Sequence, residues 1–234
     1  MKKKTVAFVP IKLNSERLPR KNILPLGNRP LCAYIFESLL KVEEIDDVYV
    51  FCSDEKVMDY VPEGVKFLKR EKRLDGNFVK GKEIYESFLS LVDSDIYLLA
   101  HTTSPFLTSA TIAKGLNKVL SGEYDSALTV QRKQTFVWYE GKPLNYDVND
   151  IPRTQDMEPV FIETSGFYIF KREHFLEGGR RIGHKPFLVE VDDVEAIDID
   201  TKEDYEFALK IAGGHIGRTN EWEEEMGNGI AFRG

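Results

Sequence analysis

Short, almost uninterrupted apolar runs recur through the first half of the chain, separated by segments whose apolar positions follow a helical period. The runs predict five buried β-strands, at residues 5–9, 48–52, 65–68, 96–100 and 126–130. Apolar spacings of three and four predict helices between them, at residues 31–42, 84–92 and 112–120. This alternation predicts an α/β fold with a mainly parallel sheet and helices on both of its faces.

The pattern changes between residues 131 and 160, where polar residues, aromatic residues and turn formers replace the apolar runs. We interpret this segment as an excursion from the sheet, either a lid or a dimerisation arm. Four short apolar runs follow and predict strands at residues 161–162, 167–170, 187–191 and 196–199. Thr201 and Asp204 have the spacing of a capping box, which predicts a last helix. We therefore expect one domain over residues 1–212 and a tail over residues 213–234.

Composition excludes several classes of protein. The 234 residues are 42% apolar and 30% charged, as in an ordinary soluble globular protein. The net charge of −7 argues against nucleic acid as a partner, because domains that bind nucleic acid are normally basic. No apolar run reaches the ~18 residues that a membrane span needs, and the first run is too short for a secretory signal. Cys32 and Cys52 lack metal-ligand spacing, which predicts buried, reduced thiols in a cytoplasmic protein.

A basic loop follows the first predicted strand, although the protein as a whole is acidic. Between residues 12 and 29 one acid, Glu16, accompanies five cations: Lys12, Arg17, Arg20, Lys21 and Arg29. Ligands of a parallel α/β sheet bind beyond the carboxyl ends of its strands, so the loop lies where an anion would bind. A polyphosphate needs several cations and hydrogen-bond donors, which Lys12, Arg17 and Lys21 could supply together with Ser15. The alternative is a solvated charged loop, and the sequence is not a Walker A motif.

Asp198 and Asp200 form the second candidate site. On the strand predicted at residues 196–199, residues two apart point to the same side, so the two carboxylates would share one face. Ile197 and Ile199 would then be buried behind them. Two close negative charges favour a cation between them, and Mg²⁺ is commonly held by one or two carboxylates plus substrate phosphates. The alternative is one solvent-facing aspartate and one that caps the last helix.

Two further segments carry less specific signals. The fourth predicted strand ends at His101, followed by small hydroxyl residues up to Ser104 that could bind a nucleobase or ribose. Such a strand end is common, and a lone histidine is more often a structural hydrogen-bonding residue than a catalyst. Arg153 could bind a second anion, for example a carboxylate on an acceptor, or be an ordinary surface arginine.

Taken in order, these segments resemble the cytidylyltransferases that activate acidic eight- and nine-carbon keto sugars. The match is best to the CMP-N-acylneuraminate (CMP-sialic acid) synthetase, or acylneuraminate cytidylyltransferase, family. That family's loop over the CTP phosphates reads Ala-Arg-x-x-Ser-Lys-x-Leu-Pro-x-Lys-Asn, and in register with it stand Ser15, Leu18, Pro19, Lys21 and Asn22. Residues 102–105 resemble its Pro-Thr-Ser-Pro turn, and residues 197–201 match its Ile-Asp-Ile-Asp-Thr. Residues 152–153, followed by 166–169, resemble its Pro-Arg segment in the dimer arm.

The resemblance implies a Rossmann-like fold of the nucleotide-diphospho-sugar transferase type, with an inserted dimerisation arm and a homodimeric assembly. It implies transfer of CMP from CTP to the anomeric hydroxyl of an acidic 2-keto-3-deoxy sugar, with pyrophosphate released and Mg²⁺ as cofactor. The implied catalytic residues are Lys12, Arg17 and Lys21 on the triphosphate and Asp198 and Asp200 on the metal. The implied nucleotide-binding residues are Ser15, Asn22, Arg70, His101 and Ser104, and the implied sugar-binding residues are Arg153 and Tyr168.

Three positions depart from the family pattern. The family's first arginine is Lys12 here, its usual glutamine before the Thr-Ser-Pro turn is His101, and Glu16-Arg17 replaces Lys-Gly or Lys-Arg. These departures keep other acceptors open, namely 3-deoxy-manno-octulosonate, pseudaminic acid and legionaminic acid. They also keep open the alternative that the protein is a non-catalytic homologue that binds a nucleotide or sugar. The presence of both Asp198 and Asp200 favours an enzyme.

Overall fold

The computed structural model describes residues 3–15 and 18–213, so Arg17 and the tail beyond residue 213 lie outside it. The strands, in chain order, are β1 (Thr5–Ile11), β2 (Pro25–Leu26), β3 (Arg29–Pro30), β4 (Asp47–Cys52), β5 (Lys66–Lys69), β6 (Ile96–Ala100), β7 (Ser126–Lys133), β8 (Trp138–Tyr139), β9 (Lys142–Pro143), β10 (Val160–Lys171) and β11 (Pro186–Glu190). The α-helices are α1 (Leu31–Leu40), α2 (Gly81–Leu91), α3 (Ser109–Leu120), α4 (Arg172–Gly178) and α5 (Lys202–Ala212). Short 3-10 helices occupy Lys21–Ile23, Glu55–Tyr60, Lys72–Asp75 and Thr154–Asp156.

Seven of the described strands form one sheet, in the order β11-β7-β10-β6-β1-β4-β5. Neighbouring strands are parallel except at β10, which runs antiparallel to both β6 and β7. The predicted mainly parallel α/β sheet is therefore confirmed. Because β1 and β6 are adjacent and parallel, their carboxyl ends open on the same edge of the sheet.

Two apolar layers cover the sheet, one on each face. Alternate residues of β1 enter opposite layers, as the pleat of a strand requires. Val9 packs in the layer that contains residues of α1 and α3, whereas Phe8 packs in the layer that contains residues of α2 and α4. In the second layer the rings of Phe8 and Phe88 stack with centroids 4.1 Å apart. The predicted helices on both faces are confirmed.

Strand β10 replaces the two short strands predicted at residues 161–162 and 167–170. A bulge interrupts its register with β7 between Glu163 and Tyr168, and within it Ser165 adopts a left-handed φ of 59°. Gly166 follows, and a Cβ there would lie 2.6 Å from the Leu107 side chain. The sequence pattern predicts two strands rather than one because the bulge interrupts the apolar alternation.

The strand predicted at residues 196–199 is wrong. The segment after β11 turns where the Asp192 carboxylate accepts a hydrogen bond from the backbone N–H of Glu195 at 2.8 Å. Ile199 is buried, but its N–H donates to the Thr103 carbonyl at 2.8 Å rather than within a strand ladder. The apolar signal here comes from packing against α1 and α5 rather than from sheet pairing.

Helix α5 begins with the predicted capping box. The Asp204 N–H donates to the Thr201 hydroxyl at 3.2 Å, and the Thr201 N–H donates to the Asp204 carboxylate at 2.8 Å. That carboxylate also accepts from the Asp200 N–H at 3.0 Å. The N-cap is therefore Thr201, and neither Asp198 nor Asp200 caps the helix.

The chain leaves the sheet between β7 and β10. Strands β8 and β9 form a small hairpin there, with Gly141 at a φ of 75° in its turn. Several large apolar side chains of this segment are exposed: Phe136, Trp138, Tyr139, Leu144, Val148 and Ile151. The excursion from the sheet is thus observed, and its role as a lid or a dimerisation arm stays a prediction.

Cys32 and Cys52 are both buried and form no disulfide, as predicted. Burial raises the pKa of the Cys32 thiol to about 12, so it is inert at neutral pH. Among the helices in the described part of the chain, none is long and apolar enough to cross a membrane.

Buried Glu195 ties the segment after β11 to helix α3. Its carboxylate accepts hydrogen bonds from the Thr108 N–H at 3.0 Å, the Thr108 hydroxyl at 2.9 Å and the Thr111 hydroxyl at 2.7 Å. Thr108 is the N-cap of α3, so the negative charge lies at the positive end of the helix dipole. This anchor fixes the backbone that leads to Asp198.

We expect Glu195→Ala to lower the free energy of unfolding by about 2–3 kcal/mol, because three partly buried donors lose a charged acceptor. Urea unfolding followed by circular dichroism measures the change. The control is Glu190→Ala, which removes an exposed carboxylate from β11 and should cost less than about 0.5 kcal/mol. Equal losses in the two variants would contradict the anchoring role.

Candidate functional site

A pocket of about 450 Å³ opens beyond the carboxyl ends of β1 and β6. Six residues singled out from the sequence line it: Lys12, Ser15, Lys21, Asn22, Arg70 and His101. They come from the loop after β1, the end of β5 and the end of β6. The structure thus brings together at one edge of the sheet residues that lie up to 89 positions apart in the sequence (from Lys12 to His101).

Asn22 holds the basic loop against the end of β6. Its side-chain N–H donates to the Lys12 carbonyl at 2.7 Å, and its side-chain oxygen accepts from the Thr102 hydroxyl at 2.6 Å. Asn22 and Thr102 are both buried. These two bonds fix the backbone at Lys12 and the side chain of Asn22 against the end of β6.

The two lysines of the loop have polar partners in this structure. Lys12 Nζ donates to Asn77 Oδ1 at 3.1 Å. Lys21 Nζ forms an ion pair with Asp200 Oδ1 at 2.8 Å, and only 12% of the Lys21 side chain is exposed. The ion pair thus joins Lys21, predicted to bind phosphate, to Asp200, predicted to bind the metal.

Arg70 places a third positive charge in the pocket wall. The residue is 3% exposed, and its guanidinium donates to the Ile11 carbonyl at 2.9 Å and to the Asp75 carboxylate at 2.5 Å. The same group lies 5.8 Å from the centroid of the Phe51 ring. These contacts hold the guanidinium rigidly beside the pocket.

His101 connects the end of β6 to the bulge of β10. Its Nδ1 lies 2.5 Å from the Ser165 carbonyl, which can only accept, so Nδ1 carries a proton. Burial lowers the pKa of His101, and the cations Arg181 and Lys21 lower it further, whereas the Ser165 carbonyl and Asp198 oppose these effects. The ring is therefore neutral at pH 7 and keeps one edge at the pocket.

Asp198 and Asp200 do not share one face of a strand, because no strand forms there. They still interact: the pKa of Asp198 is raised by partial burial and by the charge of Asp200, and lowered by a hydrogen bond from Thr103. Asp198 is an exposed residue, so water limits the effect of burial. Ile199 is buried as predicted, whereas Ile197 is only half-buried. Thr103 lines the pocket, which places Asp198 at its edge.

This pair of carboxylates fits Mg²⁺ as one side of a coordination shell. Asp200 and Asp198 are hard oxygen donors whose mutual repulsion a cation would relieve. Within residues 3–15 and 18–213, no group of three or more His, Cys, Asp or Glu side chains could hold a metal. Phosphate oxygens or water would have to supply the remaining ligands.

The remaining predicted site residues lie outside the pocket lining. Ser104 is 1% exposed, and its hydroxyl has no hydrogen-bond partner in the described structure. Tyr168 is also 1% exposed, and its hydroxyl donates to Glu163 at 2.8 Å. Arg153 lies in the excursion, 73% exposed, and pairs with Asp156 at 2.6 Å. Arg17 lies outside the described residues.

The pocket wall that faces the basic loop is not predicted by the sequence pattern. This wall is formed by Leu74, Gly76, Asn77, Val79, Gly81, Ile84 and Tyr85. These residues carry no charge pattern or motif that would mark them as part of a site. A Cβ at Gly81 would lie 2.7 Å from the hydroxyl of Tyr85, one turn further along the same helix, so glycine leaves room for that side chain in its present position.

Two solved structures share this fold. One is CMP:2-keto-3-deoxy-manno-octonic acid synthetase complexed with CTP, with a TM-score of 0.68 and 16% identity, over 91% of this chain and 100% of that one. The other is 4-diphosphocytidyl-2C-methyl-D-erythritol synthase from Anaerococcus prevotii, with a TM-score of 0.64 and 14% identity, over 90% of this chain and 96% of that one.

Sequence relatives extend the comparison. The N-acylneuraminate cytidylyltransferase of Escherichia coli O18:K1:H7 is 25% identical in an alignment that covers 90% of this chain and 52% of that protein. The N-acylneuraminate cytidylyltransferase of Oncorhynchus mykiss is 24% identical over 76% of this chain and 44% of its own length. The pseudaminic acid cytidylyltransferase of Campylobacter jejuni is 22% identical over 88% of this chain and 94% of its own length. The chain thus spans about half the length of the N-acylneuraminate relatives.

A family model described as cytidylyltransferase matches residues 6–226, which is most of the chain and includes every site residue discussed above. The resemblance drawn from the motifs is confirmed: the chain belongs to the cytidylyltransferase family.

Proposed function

We propose that the protein transfers CMP from CTP to the anomeric hydroxyl of an acidic 2-keto-3-deoxy sugar and releases pyrophosphate. The observation that carries this proposal is the charge arrangement of the pocket. Lys12, Lys21 and Arg70 line it, and the carboxylates Asp198 and Asp200 adjoin it. Cations suit a triphosphate, and paired carboxylates suit the metal that accompanies one.

Lys12, Lys21 and Arg17 would hold the triphosphate, with Ser15 and Asn22 as further nucleotide contacts. Lys21 must then exchange its partner, because its ammonium group is paired with Asp200 in this structure. A phosphate that binds Lys21 releases the Asp200 carboxylate for the metal. The ion pair therefore keeps both groups compensated until the nucleotide arrives.

Asp198 and Asp200 would bind Mg²⁺. Such an ion neutralises charge on the α-phosphate and helps to orient the attacking hydroxyl. The protein's own groups supply alignment: Arg70 keeps a fixed positive charge in the pocket wall, and neutral His101 offers a hydrogen-bonding edge to the nucleotide. Ser104, buried in the turn that follows β6, would contribute to nucleotide binding.

Arg153 and Tyr168 would serve the sugar, and Arg153 would do so from a second subunit. It lies in the excursion, whose exposed apolar side chains support a homodimer formed through that arm. A cytoplasmic location fits the proposal, because the buried thiols of Cys32 and Cys52 stay reduced there.

A sialic acid is the first candidate acceptor, because the motifs and several relatives point to it. Pseudaminic acid is the second. The chain matches 94% of the length of the pseudaminic acid enzyme of Campylobacter jejuni, but only about half of the N-acylneuraminate relatives.

We expect Mg²⁺-dependent release of pyrophosphate from CTP in the presence of at least one acid of a defined panel. The panel contains N-acetylneuraminic, pseudaminic, legionaminic and 3-deoxy-manno-octulosonic acids, each assayed with CTP, UTP and GTP by a coupled pyrophosphate assay. EDTA should abolish release. If no acid supports release while calorimetry shows that CTP binds, the protein is a non-catalytic binding homologue.

Asp200→Asn should lower kcat by at least about 100-fold, because the uncharged amide is a weak metal ligand. The KM for CTP should change little, since Lys21 stays in place to bind phosphate. The matched control is Asp193→Asn, which alters an exposed aspartate of the same segment paired with Lys133. Near-normal turnover of Asp200→Asn would remove the proposed metal role.

The wild-type protein should sediment at twice the mass of one chain at micromolar concentration. Leu144→Glu and Ile151→Glu, each at a position 63% exposed in the arm, should shift it towards monomer because a charge would be buried in the interface. Leu176→Glu, at a position 66% exposed on α4, is the control and should leave the dimer intact. A wild-type monomer would contradict the arm's proposed role.

A further inference from the structure

Arg181 lies beside the pocket in the segment between α4 and β11, and no sequence motif identified it. Its guanidinium carbon lies 3.6 Å from the centroid of the Tyr168 ring, a close cation–π stack. Its Nη1 donates to the Tyr85 hydroxyl at 2.9 Å. Tyr85 lines the pocket, so Arg181 contacts the pocket wall directly.

The segment that carries Arg181 is held firmly to the body of the protein. The Asp125 carboxylate accepts from the backbone N–H groups of His184 and Lys185 at 2.7 and 2.8 Å. The Ser126 hydroxyl accepts from the Gly183 N–H at 2.9 Å. A Cβ at Gly183 would lie 2.3 Å from the Asp125 carboxylate, so the close approach depends on glycine. Arg181 is therefore a preorganised group.

Among residues 3–15 and 18–213, no carboxylate oxygen lies within 4.0 Å of the Arg181 guanidinium. Lys21, Arg70 and Arg153 each have one. Arg181 is also half-buried. Within the described residues no carboxylate compensates its charge, so the guanidinium is available to an anionic ligand.

The chemistry of the proposed acceptor supplies such an anion at this place. In a 2-keto sugar acid, the carboxylate and the anomeric hydroxyl are bonded to the same carbon, so the group that binds the carboxylate must lie close to the reacting oxygen. The Tyr168 ring on which Arg181 stacks has its centroid 6.3 Å from that of the His101 ring, and His101 lines the pocket.

We propose that Arg181 binds the carboxylate of the acceptor and so selects acidic sugars. This inference rests on the proposed function. The planar guanidinium suits a carboxylate because it can donate two parallel hydrogen bonds. Tyr168 would then act as a positioning residue, since the guanidinium stacks on the face of its ring.

The test compares Arg181→Gln, Arg181→Lys and the control Arg180→Gln. Arg180 is the exposed neighbour in the same segment, where it contacts His184. Each acid of the panel and its methyl ester is titrated in the presence of CMP by calorimetry, and KM values for acid and CTP are measured wherever turnover occurs. Thermal melting checks that each variant is folded.

Arg181→Gln should raise the Kd or KM of the acid by about 10- to 100-fold and leave the KM for CTP within about 2-fold. The ratio of the Kd of the ester to the Kd of the acid should fall towards one. Loss of packing alone would weaken both ligands and leave this ratio unchanged. Arg181→Lys should recover part of the preference, and Arg180→Gln should behave like the wild type.

The outcomes separate this inference from the proposed function. Binding without turnover would remove the proposed function, and the Kd values of acid and ester would still decide the role of Arg181. If acid and ester weaken equally in Arg181→Gln, or if no acid binds the wild-type protein, the carboxylate role is overturned.

Discussion

The ion pair between Lys21 and Asp200 is the constraint on which the site depends. It joins residues 179 positions apart and ties the loop after the first strand to the segment before the last helix. Only 12% of the Lys21 side chain is exposed, and a buried ammonium group needs a compensating charge. Asp200 provides that charge without a ligand. The same contact brings Lys21 against the carboxylate pair before a nucleotide binds, so a triphosphate and its metal would enter between groups that already adjoin.

The antiparallel strand β10 supplies the other half of the site by way of a bulge. Ser165 takes a left-handed conformation that costs a non-glycine residue about 1–2 kcal/mol. Thr129 offsets this cost, because its hydroxyl accepts from the Gly166 N–H at 3.1 Å and from Thr164 at 2.8 Å. The bulge turns the Ser165 carbonyl towards His101. A regular strand would have used that carbonyl in its ladder and left the histidine without a fixed tautomer.

The α/β class could be predicted from the sequence because runs such as residues 96–100 report burial on both faces of a sheet. The same signal was misleading at residues 196–199, where helices rather than neighbouring strands bury Ile199. The basic loop could be predicted because its residues are close in sequence. The facing wall and Arg181 could not, since their positions follow from packing between distant segments that carry no pattern of their own.

The partners of the cations separate groups that maintain the fold from groups available to a ligand. Arg70 binds a backbone carbonyl and Asp75, so much of its charge is compensated by the protein. The charge of Lys21 is compensated by Asp200, a carboxylate that the proposed metal also requires. Arg181 rests on the face of Tyr168, and an aromatic ring attracts a cation without neutralising it. Its position is therefore fixed while its charge stays uncompensated. Of these three cations, Arg181 alone needs to release no carboxylate before it binds an anion, which suits it to the acceptor rather than to the nucleotide.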